Sequence, residues 1–334
     1  MIDILKKQWF VVLIACILVI FGVYVIYDTN KGKLPGKKVD GNALVASLDS
    51  ASFTADDLYN KIDEVKGDEL LATLFQQAVI MEAVETTDDL KSEAKLQADQ
   101  ITESMQQQDP AGYKKTIGTS LKNMGFAEDD LEGYTLLIAK NNKLLSDYFD
   151  AHMDELFTPI YKNKHPRSVS HILVKMEDSQ NPTEEELAKV RKINEALAAG
   201  KDFSEVAKEF SDDTGSAAEG GWIGYVDSDN SGSLVKKFHA KAMELSKGEV
   251  SDWVKVTMED SNSYSGWHLI KAIETEQKAL CENEDLKDGI YTAISNANKN
   301  IGYKIVWEES KKLNIEFPDE TVKTRIMNFL GVKE

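Results

Sequence analysis

Cysteine is scarce. The 334 residues hold two, Cys16 and Cys281. Cys16 falls in an apolar N-terminal run, so a structural disulfide within the chain is not expected, and Cys281, with no partner implied nearby, reads as an inert thiol. Basic charge is also short: 39 Lys and Arg face 57 Asp and Glu, a formal charge of −18. No stretch supplies the basic footprint that nucleic-acid binding requires. The five histidines form no metal-ligand cluster with Cys, Asp or Glu, and there is no internal repeat. The rest is ordinary globular material. A hydrophobic content of 42% supports packed cores and argues against wholesale disorder, and the length suits two domains.

Charge is absent altogether from Trp9 to Tyr27, a run of 19 residues that at roughly 1.5 Å per helical residue nearly spans a hydrocarbon core. Trp9, Tyr24 and Tyr27 near its ends fit the interfacial aromatic belt. A spanning helix is expected. The competing assignment is a lipoprotein signal, because Leu13-Ile-Ala-Cys16 matches the box before a lipidated cysteine; against it, Ile17–Tyr27 stays apolar where a polar tether is usual. Flanking lysines leave the orientation open: Lys6 and Lys7 precede the run, and Lys31, Lys33, Lys37 and Lys38 follow it.

Thr29–Asp40 reads as a tether and Ala43–Asp49 as a short strand. Thr54-Ala-Asp-Asp57 is a capping box opening a helix with Leu58, Ile62 and Val65 on one face. Further helices are predicted over Leu70–Val84, over Asp88–Gln108, whose sparse apolar stripe suggests that it projects, and from Gly125 to about Phe157. The composition changes after Pro159. A strand at Val169–Met176, a helix capped by Thr183 and Glu186, a short helix at Phe203–Phe210, a strand near Trp222–Val226, a helix near Leu234–Leu245 and a strand at Trp267–Ile273 make a β-α-α-β-α-β module. Asp285–Leu313 returns to helix, with Ile290, Ile294, Ile301, Ile305 and Leu313 apolar.

That module carries two histidines in matching strand-like contexts, Ser168-Val-Ser-His171-Ile-Leu-Val-Lys175 and Ser265-Gly-Trp-His268-Leu-Ile-Lys271. An acidic Gly-rich turn, Phe210-Ser-Asp-Asp213-Thr-Gly, lies between them. A lone strand histidine is more often a satisfied core residue than a catalyst, and Asp213 alone could be a turn cap. His152, His165 and His239 lack partner spacing and read as surface residues.

Residues 168–274 resemble a parvulin-type peptidyl-prolyl isomerase domain. The matching pieces are His171-Ile-Leu-Val174, Phe203-Ser-Glu-Val-Ala207, Phe210-Ser-Asp212, Gly220-Gly-Trp-Ile-Gly224, Leu245-Ser-Lys-Gly-Glu-Val-Ser251 and Gly266-Trp-His-Leu-Ile270, in the family's order. The chain departs from the family at Gly-Gly-Trp-Ile-Gly, where Gly-Gly-Asp-Leu-Gly is usual, and in longer loops at Asp227–Ser233 and Met258–Tyr264. The flanks are similar to those of bacterial extracytoplasmic foldases. The resemblance implies an α+β chain: a parvulin-like domain, a small antiparallel sheet with helices, inserted in a mainly helical chaperone domain behind an N-terminal transmembrane helix. The implied divisions are 1–28 membrane anchor, 29–40 tether, 41–162 helical chaperone region, 165–276 isomerase domain, and 282–334 packing back on 41–162.

The resemblance also assigns roles. Leu234 and Phe238 would form the proline pocket with Ile223 and Tyr225 at its wall; His171 and His268 would pair at its floor; Asp213 would face the substrate carbonyl; and Ser265 would join the histidine network. No cofactor is implied. Partners would be unfolded or partly folded secreted polypeptides containing proline, and the membrane through residues 9–27, with the bulk of the chain extracytoplasmic; a homodimer stays open. Two functions compete at this level: a membrane-anchored isomerase and foldase, and a holdase chaperone whose parvulin domain is catalytically inactive.

Overall fold

The computed structural model describes residues 38–39, 41–47, 52–229, 234–313, 315–317 and 319–333. The apolar run Trp9–Tyr27 and Cys16 lie outside them. Among the described residues no helix is long and apolar enough to cross a membrane. The chain divides into two compact units, Met1–Thr73 and Leu74–Glu334.

In the first unit, β1 (Lys38–Val39), β2 (Asn42–Ser47) and β3 (Ser52–Thr54) form an antiparallel sheet in sequence order. The chain then enters α1 (Ala55–Ala83) through the expected capping box: Thr54 N donates to Asp57 Oδ2 (2.8 Å) and Asp57 N to Thr54 Oγ1 (3.2 Å). Two helices were predicted over this stretch and one forms. Gly67, whose missing side chain weakens a helix, does not interrupt it. Leu58, Ile62 and Val65 do fall on a helical period, but all three are exposed.

The second unit combines a helical part with the sheet module. The helical part uses α2 (Asp88–Gln108), α3 (Tyr113–Asn123), α4 (Leu131–Ala151) and α5 (Met153–Lys164), then α10 (Gln277–Cys281), α11 (Lys287–Ala297), α12 (Ile301–Lys312) and α13 (Glu320–Leu330) from the far end of the chain. α2 does not project. It buries Leu90, Ala94 and Ala98 against α4, with Thr135 Oγ1 donating to the Ala94 carbonyl (2.8 Å); the small alanines permit close approach, which a count of large apolar residues misses. The helix predicted from Gly125 breaks at His152 into α4 and α5. The buried Lys140 ammonium donates to the Met81 carbonyl (2.6 Å) in the last turn of α1, one of the carbonyls a helix end leaves unpaired.

The segments before and after the inserted module meet in this helical part. Trp307 packs on Phe75 and Phe317 (ring centroids 5.7 and 6.4 Å) and Tyr291 on Phe149 (5.4 Å), while the Tyr291 hydroxyl donates to Asp150 (2.6 Å). α11 and α12 thus bury the Ile290, Ile294, Ile301 and Ile305 stripe.

The inserted module holds four antiparallel strands in the order β5 (Trp222–Val226), β4 (Arg167–Met176), β7 (Ser265–Glu274) and β6 (Val254–Val256). β6 was not predicted; at three residues it is too short to show an alternation. Strand alternation sends Ile172, Val174, Met176 and Leu269 to one face, where α6 (Glu184–Ala198) and α7 (Phe203–Phe210) cover them with Val190, Ile193, Phe203 and Val206. Val169, Ile270 and Ala272 go to the other face, under Phe238 and Ala242 of α8 (Lys236–Glu244).

Candidate active site

The β4–β7 register pairs His171 with Ile270 and Leu173 with His268. The two histidines are therefore diagonal neighbours on the α8 face, within reach of long side chains. Both are buried, at 4% and 3% exposure. Their rings lie nearly parallel, 15° apart, with Nδ1 to Nδ1 at 3.0 Å. Phe238 stands edge-on to both, with centroids at 5.4 and 5.2 Å.

Asp213 is brought under His171 by the turn after α7, which is laced to β4. Asp212 N donates to the Leu173 carbonyl (2.7 Å), Leu173 N to Ser211 Oγ (3.1 Å) and Lys175 N to Asp212 Oδ2 (3.0 Å). His171 Nε2 then sits 2.8 Å from Asp213 Oδ2 and 3.1 Å from Ser216 Oγ, whose hydroxyl donates to the same carboxylate (2.6 Å). Close approach behind this cluster demands glycine at 221. Its φ is +78°, and a Cβ there would stand 2.0 Å from the His171 carbonyl oxygen.

Burial depresses the pKa of both histidines. For His171 the nearby Asp213 partly offsets it; His268, further depressed by His171, falls to about 3. Burial pushes Asp213 up, but the Ser216 hydroxyl, the His171 ring and the Gly215 amide outweigh it and hold its carboxyl below the ordinary range. At neutral pH the cluster is therefore two neutral imidazoles and one carboxylate.

A cavity of about 240 Å³ opens on this cluster, lined by His171, Asp213, Leu234, Phe238, Tyr264 and His268, with Leu173, Lys175 and Val235 completing it. Five of the expected site residues, His171, His268, Asp213, Leu234 and Phe238, thus meet in one place. Ile223 packs on the same apolar cluster as Phe238 without lining the cavity.

Ile223 is thus not at the cavity wall where it was expected, and two further expectations fail. Ser265 is three residues from His268 on a regular strand, so it points to the opposite face; its Oγ accepts from Ser179 N (2.8 Å) and donates to the Val256 carbonyl. Tyr225 is not at the cavity wall. The β4–β5 register shifts between Val169 and Ser170, opposite Gly224 and Trp222, and φ at Gly224 is +89°, which breaks the alternation that would group Tyr225 with Ile223. Tyr225 instead donates to Asp227 (2.8 Å) and packs on Phe157, and a Cβ at Gly289 of α11 would meet it at 2.4 Å. It joins the module to the helical part.

Two other residues enter the site unpredicted. Tyr264 lies four before His268, on its side of the strand, and its hydroxyl is 2.9 Å from His268 Nε2; that spacing was the available signal. Ser216 follows Asp213 by three in a turn, where hydroxyl–carboxylate bonds are common. His239, expected at the surface, is half-buried with Nε2 2.8 Å from the Asp227 carbonyl. Burial pushes the Cys281 thiol up to about 11, which leaves it a poor nucleophile at neutral pH.

The family model for the PPIC-type peptidyl-prolyl isomerase domain (Rotamase) matches residues 171–274. Over 265 residues the chain is 30% identical to foldase protein PrsA of Clostridium kluyveri, covering 73% of this chain and 71% of that protein. The chain belongs to the PrsA foldase family. Foldase protein PrsA 2 of Bacillus cereus is 27% identical over 289 residues, 85% of this foldase and 88% of that one. The parvulin-like PPIase of Rickettsia prowazekii is 33% identical over 146 residues, 44% of each chain. Among solved structures, PrsA from Bacillus subtilis aligns over 85% of this chain and 98% of that one with a TM-score of 0.44 and 24% identity. By the family match and the fold described above, the foldase carries a parvulin-type isomerase domain inserted in a mainly helical chain.

Proposed function

We propose that this foldase catalyses cis–trans isomerisation of X–Pro bonds in unfolded or partly folded secreted polypeptides at the outer face of the cytoplasmic membrane. His171, His268, Asp213, Leu234 and Phe238 form the reacting site. The observation that carries this reading is the paired, neutral, buried histidines beside one carboxylate at the floor of a cavity whose wall is Phe238.

Rotation about the prolyl amide faces a barrier of roughly 18–20 kcal/mol because resonance gives the C–N bond double-bond character. No bond is broken, so the catalyst needs only to hold the twisted amide better than either planar form. Leu234 and Phe238 offer an apolar clamp for the pyrrolidine ring. A carbonyl placed against the Asp213 carboxylate meets negative charge, which opposes the O⁻/N⁺ resonance form and weakens the double bond. The histidine pair, hydrogen-bonded internally and to Asp213 and Tyr264, fixes the floor without exposing charge. Proline-tetrapeptide isomerisation by the full chain tests this. Catalysis that falls in Asp213→Ala with the circular dichroism unchanged supports the assignment; wild-type protein that is folded and inactive on every residue tried before proline sinks it.

The extracytoplasmic location rests on the apolar Trp9–Tyr27 run together with the foldase relatives. The helical chaperone region is taken as 41–162 with 282–334, supported by the Phe75–Trp307 and Phe149–Tyr291 contacts. Protease added to intact cells should degrade the bulk of the chain, and a lipid label on Cys16 would show that the lipoprotein box is used. Retention inside the cell would exclude both forms of anchoring.

A further inference from the structure

The buried cluster is one continuous chain of hydrogen bonds, and its proton order can be deduced. The links are Tyr264 Oη to His268 Nε2 (2.9 Å), His268 Nδ1 to His171 Nδ1 (3.0 Å) and His171 Nε2 to Asp213 Oδ2 (2.8 Å). A neutral imidazole carries one donor and one acceptor nitrogen, and an ionised carboxylate only accepts. His171 must therefore give its Nε2–H to Asp213, which leaves its Nδ1 bare. His268 must then carry its proton on Nδ1 to reach that bare nitrogen. His268 Nε2 is left as an acceptor inside a buried site, and the group bonded to it is the Tyr264 hydroxyl.

We propose that Tyr264 is a positioning residue that locks the proton order of the histidine pair: Nδ1–H on His268, Nε2–H on His171. Reversing one histidine places two lone pairs, or two protons, against each other across the Nδ1–Nδ1 contact, and reversing both turns a bare His171 Nε2 onto the Asp213 carboxylate. Without the phenol, His268 Nε2 becomes a buried acceptor without a partner, and the order is held from the Asp213 end alone. Burial, with the Asp213 charge, raises the Tyr264 pKa, so the phenol remains a donor throughout the working range.

The local structure supports such a role. Tyr264 ends the polar stretch that lengthens the loop before β7. Thr257 and Asp260 form a capping box there, over the single turn α9 (Met258–Ser261), and Tyr264 N donates to Ser261 Oγ (2.9 Å). Lys237 on α8 donates to Asp260 (2.7 Å), next to Phe238. The stretch is thereby tied to the helix that supplies the clamp, and the Tyr264 ring stands across His268 with its centroid at 5.7 Å while lining the cavity.

The catalytic consequence rests on the function proposed above, whereas the proton order does not, and the two can be read separately. The full chain labelled with ¹⁵N at its histidines should show, in long-range ¹H–¹⁵N spectra at pH 7, a bare Nε2 on His268 and a bare Nδ1 on His171. Tyr264→Phe keeps the ring and removes only the hydroxyl. It should shift the His268 nitrogens toward a mixture of tautomers and lower kcat about tenfold, roughly the effect of one buried hydrogen bond, with KM little changed. A wild-type protein with the proton on His268 Nε2 overturns the proposal without recourse to the variant. So does a Tyr264→Phe protein with unaltered histidine signals, or with altered signals and a full rate. A wild type inactive on all prolyl substrates would defeat the function proposed above, and its nitrogen spectra would still decide the proton order.

Discussion

The two faces of the four-stranded sheet both bury an apolar layer and are differently built. Toward α6 and α7 the strands send Ile172, Val174, Met176 and Leu269 into a wholly apolar layer with Val190, Ile193, Phe203 and Val206. Toward α8 the same strands, read one residue out of step, send Val169, Ile270 and Ala272 into a second apolar layer, then His171 and His268 beside it. The first face is packing alone. The second keeps a polar chain buried because every ring nitrogen in it has a partner, and this satisfaction is the condition for burial. A sheet alternation thus separates a packing layer from the proposed reacting one at the spacing of a single residue.

The sharpest way to break this separation is to delete a large ring from each face. Phe203 and Phe238 are 4% and 2% exposed, so Phe→Ala at either should lower stability by about 3–5 kcal/mol. Under conditions where both variants remain folded, Phe238→Ala should lose kcat/KM by about tenfold or more, and Phe203→Ala should keep it. Urea midpoints and tetrapeptide isomerisation measure the two effects. Equal loss of rate in folded Phe203→Ala would mean that the faces are not independent.

A smaller effect is expected from the histidines themselves. His171→Ala or His268→Ala strands a buried nitrogen on the survivor, costing about 1–3 kcal/mol. Removing both strands neither, so the double variant should be less destabilised than the sum, with a coupling of about 0.5–3 kcal/mol. Additive losses in the urea cycle would show that the pair is two separate core residues.

Acid should act on the α8 face through its two histidines. The folded-state pKa of each histidine lies below the ordinary value of 6.5, that of His268 at about 3. Between those values the unfolded chain binds protons that the folded chain refuses, so stability is whole above about 6.5 and falls as the pH drops through the window. His268→Gln should flatten part of that slope, and Phe203→Ala should shift the curve without changing its shape. Urea midpoints from pH 7.5 to 4 give the comparison.

Much of the α6–α7 face was legible in sequence. The Thr183–Glu186 capping box forms as expected, and the Phe203–Phe210 helix has the predicted bounds, because both follow from local spacing. The histidine pairing was legible through family motifs, since no local rule relates His171 to His268. What was hidden depends on register. The irregularity at Ile223–Gly224 sent Tyr225 toward Phe157 and Gly289, and a single sequence does not display a bulge. In the helical part, α2 looked too polar to pack, because its contact with α4 is made by alanines and a Thr135–Ala94 hydrogen bond. Tyr264 was within reach: the four-residue offset from His268 was available once strand parity was applied to the loop.

Ser265 gives the mildest and most discriminating test. Strand parity sets it on the side away from the pair, where its hydroxyl accepts from the buried Ser179 amide. Ser265→Ala removes that acceptor and should lower stability by about 1 kcal/mol. The histidine nitrogens should be unchanged, because none of their bonds involves this hydroxyl. Isomerisation should stay within about twofold of wild type, since no more than about 0.4 kcal/mol of barrier is then at stake. The neighbouring variant with a comparably small deletion, Tyr264→Phe, removes one hydroxyl from the residue just before β7, on the histidine side, and should do the reverse. If Ser265→Ala depresses the rate as much as Tyr264→Phe, the layer that packs and the layer that reacts are coupled through β7, and the division between the two faces fails at its narrowest point.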